Sequence, residues 1–349
     1  MYSKEGYKPH NFTVMGHPEV LRDLVLKAQN PDKYPNIVNV VVYRGAGVGQ
    51  CVGAGTADAM DTLGLTEGVD YFVGESSGLP DAWSQKNKLR GARNFYYERN
   101  IKNKLFNPLR NPWLDIITLV RMFQDEQPIN LEEFRNSPQR IIAGFTEWRS
   151  GRRVTLDMGR LENPHLGLLG SQAVPIITGN LSIKIDQPGL YIPGRLVDGW
   201  VSDTQALHAA FEETEVFNPK SKQLEIFSAN RFASGGKIVN YFFVNPDPFD
   251  HRIPEAGLIE KPIRALVRAG MPGIWYVMAT FPRRFNQDSQ TLEKIVKGEI
   301  PLHPNIRVST FVATQNPIDP VCMDSATLYY SQEEAYTTFT DYIRSQINS

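Results

Sequence analysis

Apolar positions along this chain come in short blocks that switch between two periods. Ile37, Val38, Val40, Val41 and Val42 form a run that is almost entirely β-branched, as a strand buried on both faces of a parallel sheet requires. It ends at Gly45. Beyond the loop Gly45-Ala46-Gly47-Val48-Gly49, the residues Ala54, Ala57, Met60 and Leu63 fall at helical spacing. Val69, Phe72 and Val73 make a second apolar block that stops at Gly74, and Ser77 to Ser84 can open another helix. The same reading predicts helices at Glu19–Gln29, Trp113–Gln124, Leu166–Ser171, Asp203–Glu212, Leu258–Val267, Thr291–Lys297 and Gln332–Ile347. Asn130 caps a further helix with Glu133 three residues on, and Asp203 is expected to cap its own. Strands are predicted at Arg140–Phe145, Arg153–Leu156, Tyr191–Val197, Ile238–Val244, Gly273–Thr280 and Ile306–Ala313. Strands alternating with helices imply a three-layer α/β/α sandwich around a mostly parallel sheet.

Chemistry concentrates at the first two turns. Gly74-Glu75-Ser76-Ser77-Gly78 fits G-x-S-x-G, in which small flanking residues let a strand turn sharply into a helix and leave a serine hydroxyl exposed. Ser76 is the candidate nucleophile, with Gly74 and Gly78 forming the elbow. The earlier glycine-rich turn can aim the backbone amides of Gly45, Ala46, Gly47 and Val48 at a negative charge. About thirty residues separate the two turns, and a right-handed crossover of that length brings both to one edge of the sheet. An anion hole beside a serine is the geometry of acyl transfer.

The order strand, glycine loop, helix ending Leu63-Gly64-Leu65, strand and G-x-S-x-G resembles the opening of patatin-like phospholipases, in particular the bacterial family. The segment Met122 to Arg153, containing PINLEEFRNSPQRIIAGFTEWRSGRR, is similar to part of those proteins, as is Gly170-Ser171-Gln172-Ala173-Val174-Pro175. Leu196-Val197-Asp198-Gly199-Trp200 resembles their Asp-Gly-Gly/Ala motif, and the likeness runs from about Asn36 to Asn245. It implies a patatin-like fold and a serine lipid acyl hydrolase of phospholipase A, lysophospholipase or esterase type. In that reading Asp198, followed by the motif residue Gly199, is the base of a Ser-Asp dyad. Alone, an Asp-Gly at a strand end reads as an ordinary turn. Desolvation would strengthen Asp198 enough to take the Ser76 proton, and each oxyanion amide would contribute on the order of 3 kcal/mol. The chain departs from the family pattern at Ala46, at Gly49 and Gln50, where Lys or Arg and Gly are common, and at Trp200, which replaces a small residue. Arg44 is near enough in sequence to stand in for the missing basic residue. A Ser-His-Asp hydrolase would use Ser76 and Asp198 with His208, His251 or His303, although His208 falls on a predicted helix. An acyltransferase with the same nucleophile, and a lipid-surface binding protein with a vestigial site, are the other readings.

Composition narrows the setting. The 349 residues are 41% hydrophobic, ample for one hydrolase domain over 1–349, with a lead at 1–35, a catalytic core at 36–245 and sheet completion at 246–349. Lys and Arg number 37 against 38 Asp and Glu, so no global field points to nucleic acid. Two cysteines, Cys51 and Cys322, suit a reducing compartment and read as small buried groups rather than a bridge. Without a signal segment or a long apolar run, the expected location is cytoplasmic. His10 and His17 lack partners at metal-ligand spacing and read as surface or capping residues, so neither metal nor cofactor is assigned. Over 86–110, eight Lys and Arg face the single acid Glu98, with Phe95, Tyr96, Tyr97 and Phe106 interleaved. Such a stretch could rest on an anionic membrane surface beside the site, or form a solvated face with its rings in the core.

Overall fold

A computed structural model of the chain describes residues 4, 6–87, 112–125, 128–179, 181–255, 257–318, 322 and 324–347. The β-branched run forms β2 (Ile37–Tyr43), all seven of its residues buried. It pairs in parallel with β3 (Tyr71–Gly74) on one side and β11 (Ile238–Asn245) on the other. Beyond these lie β4 (Arg140–Glu147) and β12 (Ile306–Ala313), also parallel, so five parallel strands make the centre. Antiparallel strands close the edges: β1 (Phe12–Gly16) on β12, and both β5 (Arg153–Asp157) and β8 (Leu196–Asp198) on β4.

Period-two alternation divides the sheet's side chains between two cores. Val41, Tyr43, Phe72, Phe242 and Phe311 face α1 (Glu19–Gln29), α2 (Cys51–Thr62), α3 (Gly78–Lys86) and the C-terminal helix Ser325–Ile347. Val40, Val42, Val73, Tyr241, Phe243 and Val308 face the helices Leu207–Phe211, Ala229–Ser234 and Phe281–Val296. The result is the expected α/β/α arrangement, with helices on both faces of a mostly parallel sheet. Among the described residues no helix is long and apolar enough to cross a membrane.

Several local expectations give way to tertiary context. Gly273–Thr280, expected as a strand, is the helix Ile274–Ala279, and Gly273 donates to the carbonyl of Arg149 in the turn after β4 rather than to a sheet strand. A short apolar run carries no period that separates the two outcomes. Tyr191–Val197 breaks at Pro193 and Gly194, the latter at φ 92°, leaving the two-residue strand β7 (Leu190–Tyr191), paired with β6 (Asp186–Gln187), and β8. The helix expected from Asp203 begins at Leu207, after Ala206 takes a left-handed φ of 53°, and the Asp203 carboxylate reaches the amide of Ala209 at 2.8 Å. The N-terminal lead does more than lie on the sheet, since its residues 12–16 are an edge strand. His10 is buried, its Nδ1 against the Asn316 carbonyl and its Nε2 2.7 Å from Ser331 Oγ, so it ties this lead to the last helix. β9 (Thr214–Asn218) and β10 (Gln223–Phe227) pair as a hairpin that the pattern did not mark.

Helix α2 crosses the last helix at Gly55, where an added Cβ would collide with the Gln332 carbonyl oxygen. Gly55→Val is therefore expected to cost about 1–3 kcal/mol through overpacking. Urea unfolding measures this, and an unchanged midpoint would mean that the two helices do not meet there.

Candidate active site

Both glycine-rich turns leave the sheet at its carboxyl edge. β3 ends at Gly74, Glu75 donates to the Tyr43 carbonyl at 3.3 Å, and Ser76 takes φ 49°. A residue with a Cβ held there costs of order 1–3 kcal/mol, a strain typical of strand-to-helix nucleophile turns. The turn closes at once, because Gly78 donates to Glu75 O at 2.8 Å and Leu79 to Ser76 O at 3.2 Å. Gly78 must be glycine, since a Cβ would run into the carbonyls of Tyr43 and Arg44, and one at Gly74 would come within 2.8 Å of Leu79 Cα. Ser171 Oγ accepts from the Ser76 amide at 3.0 Å and in turn donates to Gly144 O at 3.3 Å.

Asp198 arrives by a different route. β3 pairs β4 only as far as Ala143, while β8 pairs β4 from Phe145 onward, with Phe145 opposite Asp198. The other edge of β4 is held by β5 at those same residues, so β8 continues the line of β3 just past the elbow. Asp198 is fully buried, its amide donating to Ala173 O and its Oδ1 accepting from the Trp200 amide at 2.8 Å. Burial lifts its pKa to about 7, against the opposing pull of the Ser76 hydroxyl and the amides of Trp200 and Val201. The hydroxyl thus faces the carboxyl, yet Oδ2 has no partner at strict hydrogen-bond geometry, so the contact is a loose one. Such bonds commonly tighten only when substrate is bound.

The glycine loop completes the group in part. An added Cβ on Gly45 would lie 2.7 Å from Ser76 Cβ, so loop and nucleophile touch. Gly47 takes φ 56° and opens a short 3₁₀ turn to Gln50 that leads into α2. Ala46 departs from the expectation that its amide serves an oxyanion, because that amide already donates to Ser77 Oγ at 3.0 Å. Gly45, Gly47 and Val48 remain the candidate donors.

Other expected roles go elsewhere. Arg44 does not substitute for a basic residue facing the oxyanion: its Nη2 pairs with Asp247, beyond the carboxyl end of β11, and burial lowers its pKa to about 9. His208 lies 3.3 Å from Glu212, His251 3.5 Å from Asp247, and His303 Nδ1 accepts from Asn305, and among the described residues none of the three histidines weighed for a triad bonds Ser76. Neither Cys51, which is buried, nor Cys322, which is half-buried, forms a disulfide. Lys86, the first residue of the basic stretch, is buried, its Nζ 2.9 Å from Phe134 O and its pKa lowered to about 7. Positions 88–110 lie outside the described residues.

A feature absent from the motif reading is a second pair of acids behind the elbow. Glu75 and Asp203 are buried face to face, and desolvation, then their mutual repulsion and shared hydrogen bond, push the Glu75 pKa well above the carboxylate range. Asp203 shifts upward as well, chiefly through burial. Glu75 packs on Gly144, where any Cβ would strike it. The only hint in the sequence is an acid inside an apolar strand-to-helix turn. Away from this site, a cavity of about 930 Å³ opens beside the starts of β3 and β4, lined by Lys27, Asp70, Lys86 and Gln139 among others.

No protein-family model and no curated protein matches the chain. Among solved structures, it is similar to VipD from Legionella pneumophila, with 10% identity and a TM-score of 0.36. That match covers 88% of this chain and 66% of VipD, just under two thirds. A likeness so loose fixes no residue correspondence.

The buried carboxyl sets a pH dependence of stability. Between about 4, where an unfolded aspartate titrates, and about 7, folded Asp198 keeps a proton that the unfolded chain has lost, so its contribution weakens as pH rises through that window. Asp198→Asn removes this loss. Its unfolding free energy relative to wild type should rise between pH 5 and pH 8, by at most about 3 kcal/mol. A difference that stays constant with pH would mean the carboxyl titrates normally.

Proposed function

We propose that the protein is a serine acyl hydrolase of patatin type that cleaves carboxylic ester bonds, with lipids as the substrate class implied by the resemblance. The observation that carries this reading is Ser76 held at positive φ on a strand-to-helix turn, its hydroxyl facing a buried aspartate with a raised pKa. An ordinary turn needs neither the strain nor the desolvated acid.

In this mechanism the ionised Asp198 accepts the Ser76 proton as Oγ attacks the ester carbonyl. The Trp200 amide holds Oδ1, which leaves Oδ2 for the proton. Negative charge builds on the carbonyl oxygen beside the Gly45–Val48 loop, where the amides of Gly45, Gly47 and Val48 stabilise it. Collapse of the intermediate returns the proton to the departing alcohol and leaves acyl-Ser76. Water, deprotonated by Asp198, then hydrolyses that ester. Because the reactive form of Asp198 is the ionised one, turnover should fall as pH drops below about 7. A cytoplasmic enzyme meeting anionic lipid surfaces through 86–110, the buried Lys86 apart, fits two cysteines that form no disulfide and the charge pattern of that stretch.

Chromogenic acyl esters and a fluorophosphonate probe test the proposal together. Wild type should turn over the ester and label at Ser76, Ser76→Ala should do neither, and Asp198→Asn should lose on the order of 10³-fold or more in turnover while remaining folded by circular dichroism. Transfer of the acyl group to an added alcohol in preference to water would make the protein an acyltransferase. An unlabelled wild type would mark a vestigial site, and undiminished turnover in either variant would end the dyad.

A further inference from the structure

Beside the nucleophile stands one large side chain that the dyad does not use. Trp200 follows Asp198-Gly199, and its backbone amide is fixed by the 2.8 Å bond to Asp198 Oδ1. A Cβ on Gly45 would lie 2.7 Å from Trp200 Cγ and 2.7 Å from Ser76 Cβ, so the indole root and the nucleophile share the same glycine as a contact. The far side of the indole is held edge-on by Phe281 at 4.7 Å between ring centres, and Phe285 backs Phe281 at 6.2 Å. Phe285 is itself buried beneath the Arg44 guanidinium, 5.4 Å from its ring. The indole can therefore swing aside only by unpacking the first turns of the helix Phe281–Val296. Ser76 is only 6% exposed. Trp200 Nε1 is buried without a protein partner, and an orphaned donor of that kind is satisfied by an oxygen such as a bound ester brings.

We infer that Trp200 sets the acyl-chain length at this site, admitting short acyl groups, acetyl to butyryl, and turning away long ones. The inference rests on the acyl hydrolase reading and replaces the lipid class that the resemblance implies with esters of short acyl groups: the bond cleaved is the same, but the chain beyond the carbonyl meets the indole after a few carbons. A hydrophobic wall discriminates by the methylenes it leaves no room for, and each additional methylene is worth roughly tenfold or more where it does not fit. Phe281 acts through Trp200, as the group that keeps the indole in place.

Two fluorophosphonates that differ only in alkyl chain, ethyl and hexadecyl, test this when each is used below its micelle concentration and the labelled site is read by peptide mass spectrometry. Wild type should label at Ser76 at least about tenfold faster with the ethyl probe. Trp200→Ala should bring the two rates within about threefold of one another, with Trp200→Phe between. Phe281→Ala should move the ratio in the same direction, and it serves as the reading if Trp200→Ala does not fold. A purely structural Trp200 would slow both probes alike, and an unmoved ratio overturns the inference while leaving the hydrolase reading intact. Equal rates in wild type overturn it too. Failure of both probes to label Ser76 in wild type overturns the inference and the hydrolase reading together.

Discussion

The site depends on how closely two backbones can approach at the carboxyl edge of the sheet. Helix α3 starts so near the end of β2 that only hydrogen fits on Gly78 beneath the carbonyls of Tyr43 and Arg44. That contact fixes where the elbow turns, and the elbow can turn there only if Ser76 accepts a left-handed φ. The same crowding puts Gly45 against the Ser76 Cβ, so the glycine loop and the hydroxyl are positioned by one packing event rather than two. Strain of this kind persists when the surroundings over-determine it. Here they do so through β2, all seven of its residues buried between parallel neighbours, and through Ser171, which fastens the Ser76 amide to β4.

The electrostatics follow from the same burial. A carboxyl removed from water either finds compensating donors or keeps its proton. Asp198 receives amides and one hydroxyl, enough to hold its pKa near neutrality. Glu75 and Asp203, which face each other, are raised as well, both chiefly by burial, and the charge of Asp203 adds to the rise at Glu75. Asp198 and Asp203 each accept a backbone amide, whereas Glu75 faces Asp203, and burial pushes all three toward the neutral form. Arg44 illustrates the opposite solution, a buried cation neutralised by Asp247 across the ends of β2 and β11.

Much of this was legible in the chain because local pattern and tertiary demand agree. A β-branched run can only be a doubly buried strand, and Glu19–Gln29 and the Asn130 cap form as their spacing dictates. G-x-S-x-G marks the elbow because steric crowding leaves glycine no substitute at Gly78. What stayed hidden depends on partners distant in sequence. No period in Leu196-Val197-Asp198 announces that β8 will take over the β4 edge where β3 ends. Glu75 and Asp203 lie 128 positions apart, and nothing local tells either acid that it will face the other. Gly273–Thr280 differs for a related reason: its apolar content suited a strand as well as a helix, and the bonds that place it, Gly273 to Arg149 O and Ile274 to Trp148 O, come from the distant turn after β4.

The arrangement also explains why one short segment carries so many consequences. Residues 198–200 supply the carboxylate, the amide that orients it and the indole that stands over Gly45. Because β8 is only three residues long, its position comes less from its own ladder than from its neighbours: Thr146 Oγ1 bonds the Asp198 carbonyl at 2.8 Å, and Ala173 O receives the Asp198 amide. Any shift of β8 along β4 would move base and wall together relative to Ser76. The spacing between nucleophile and base is therefore coupled to the space left beside the nucleophile, and a change that widens the cleft by moving this strand must loosen the dyad. Substitution at the indole avoids that coupling, since its side chain lies outside the ladder that sets the strand.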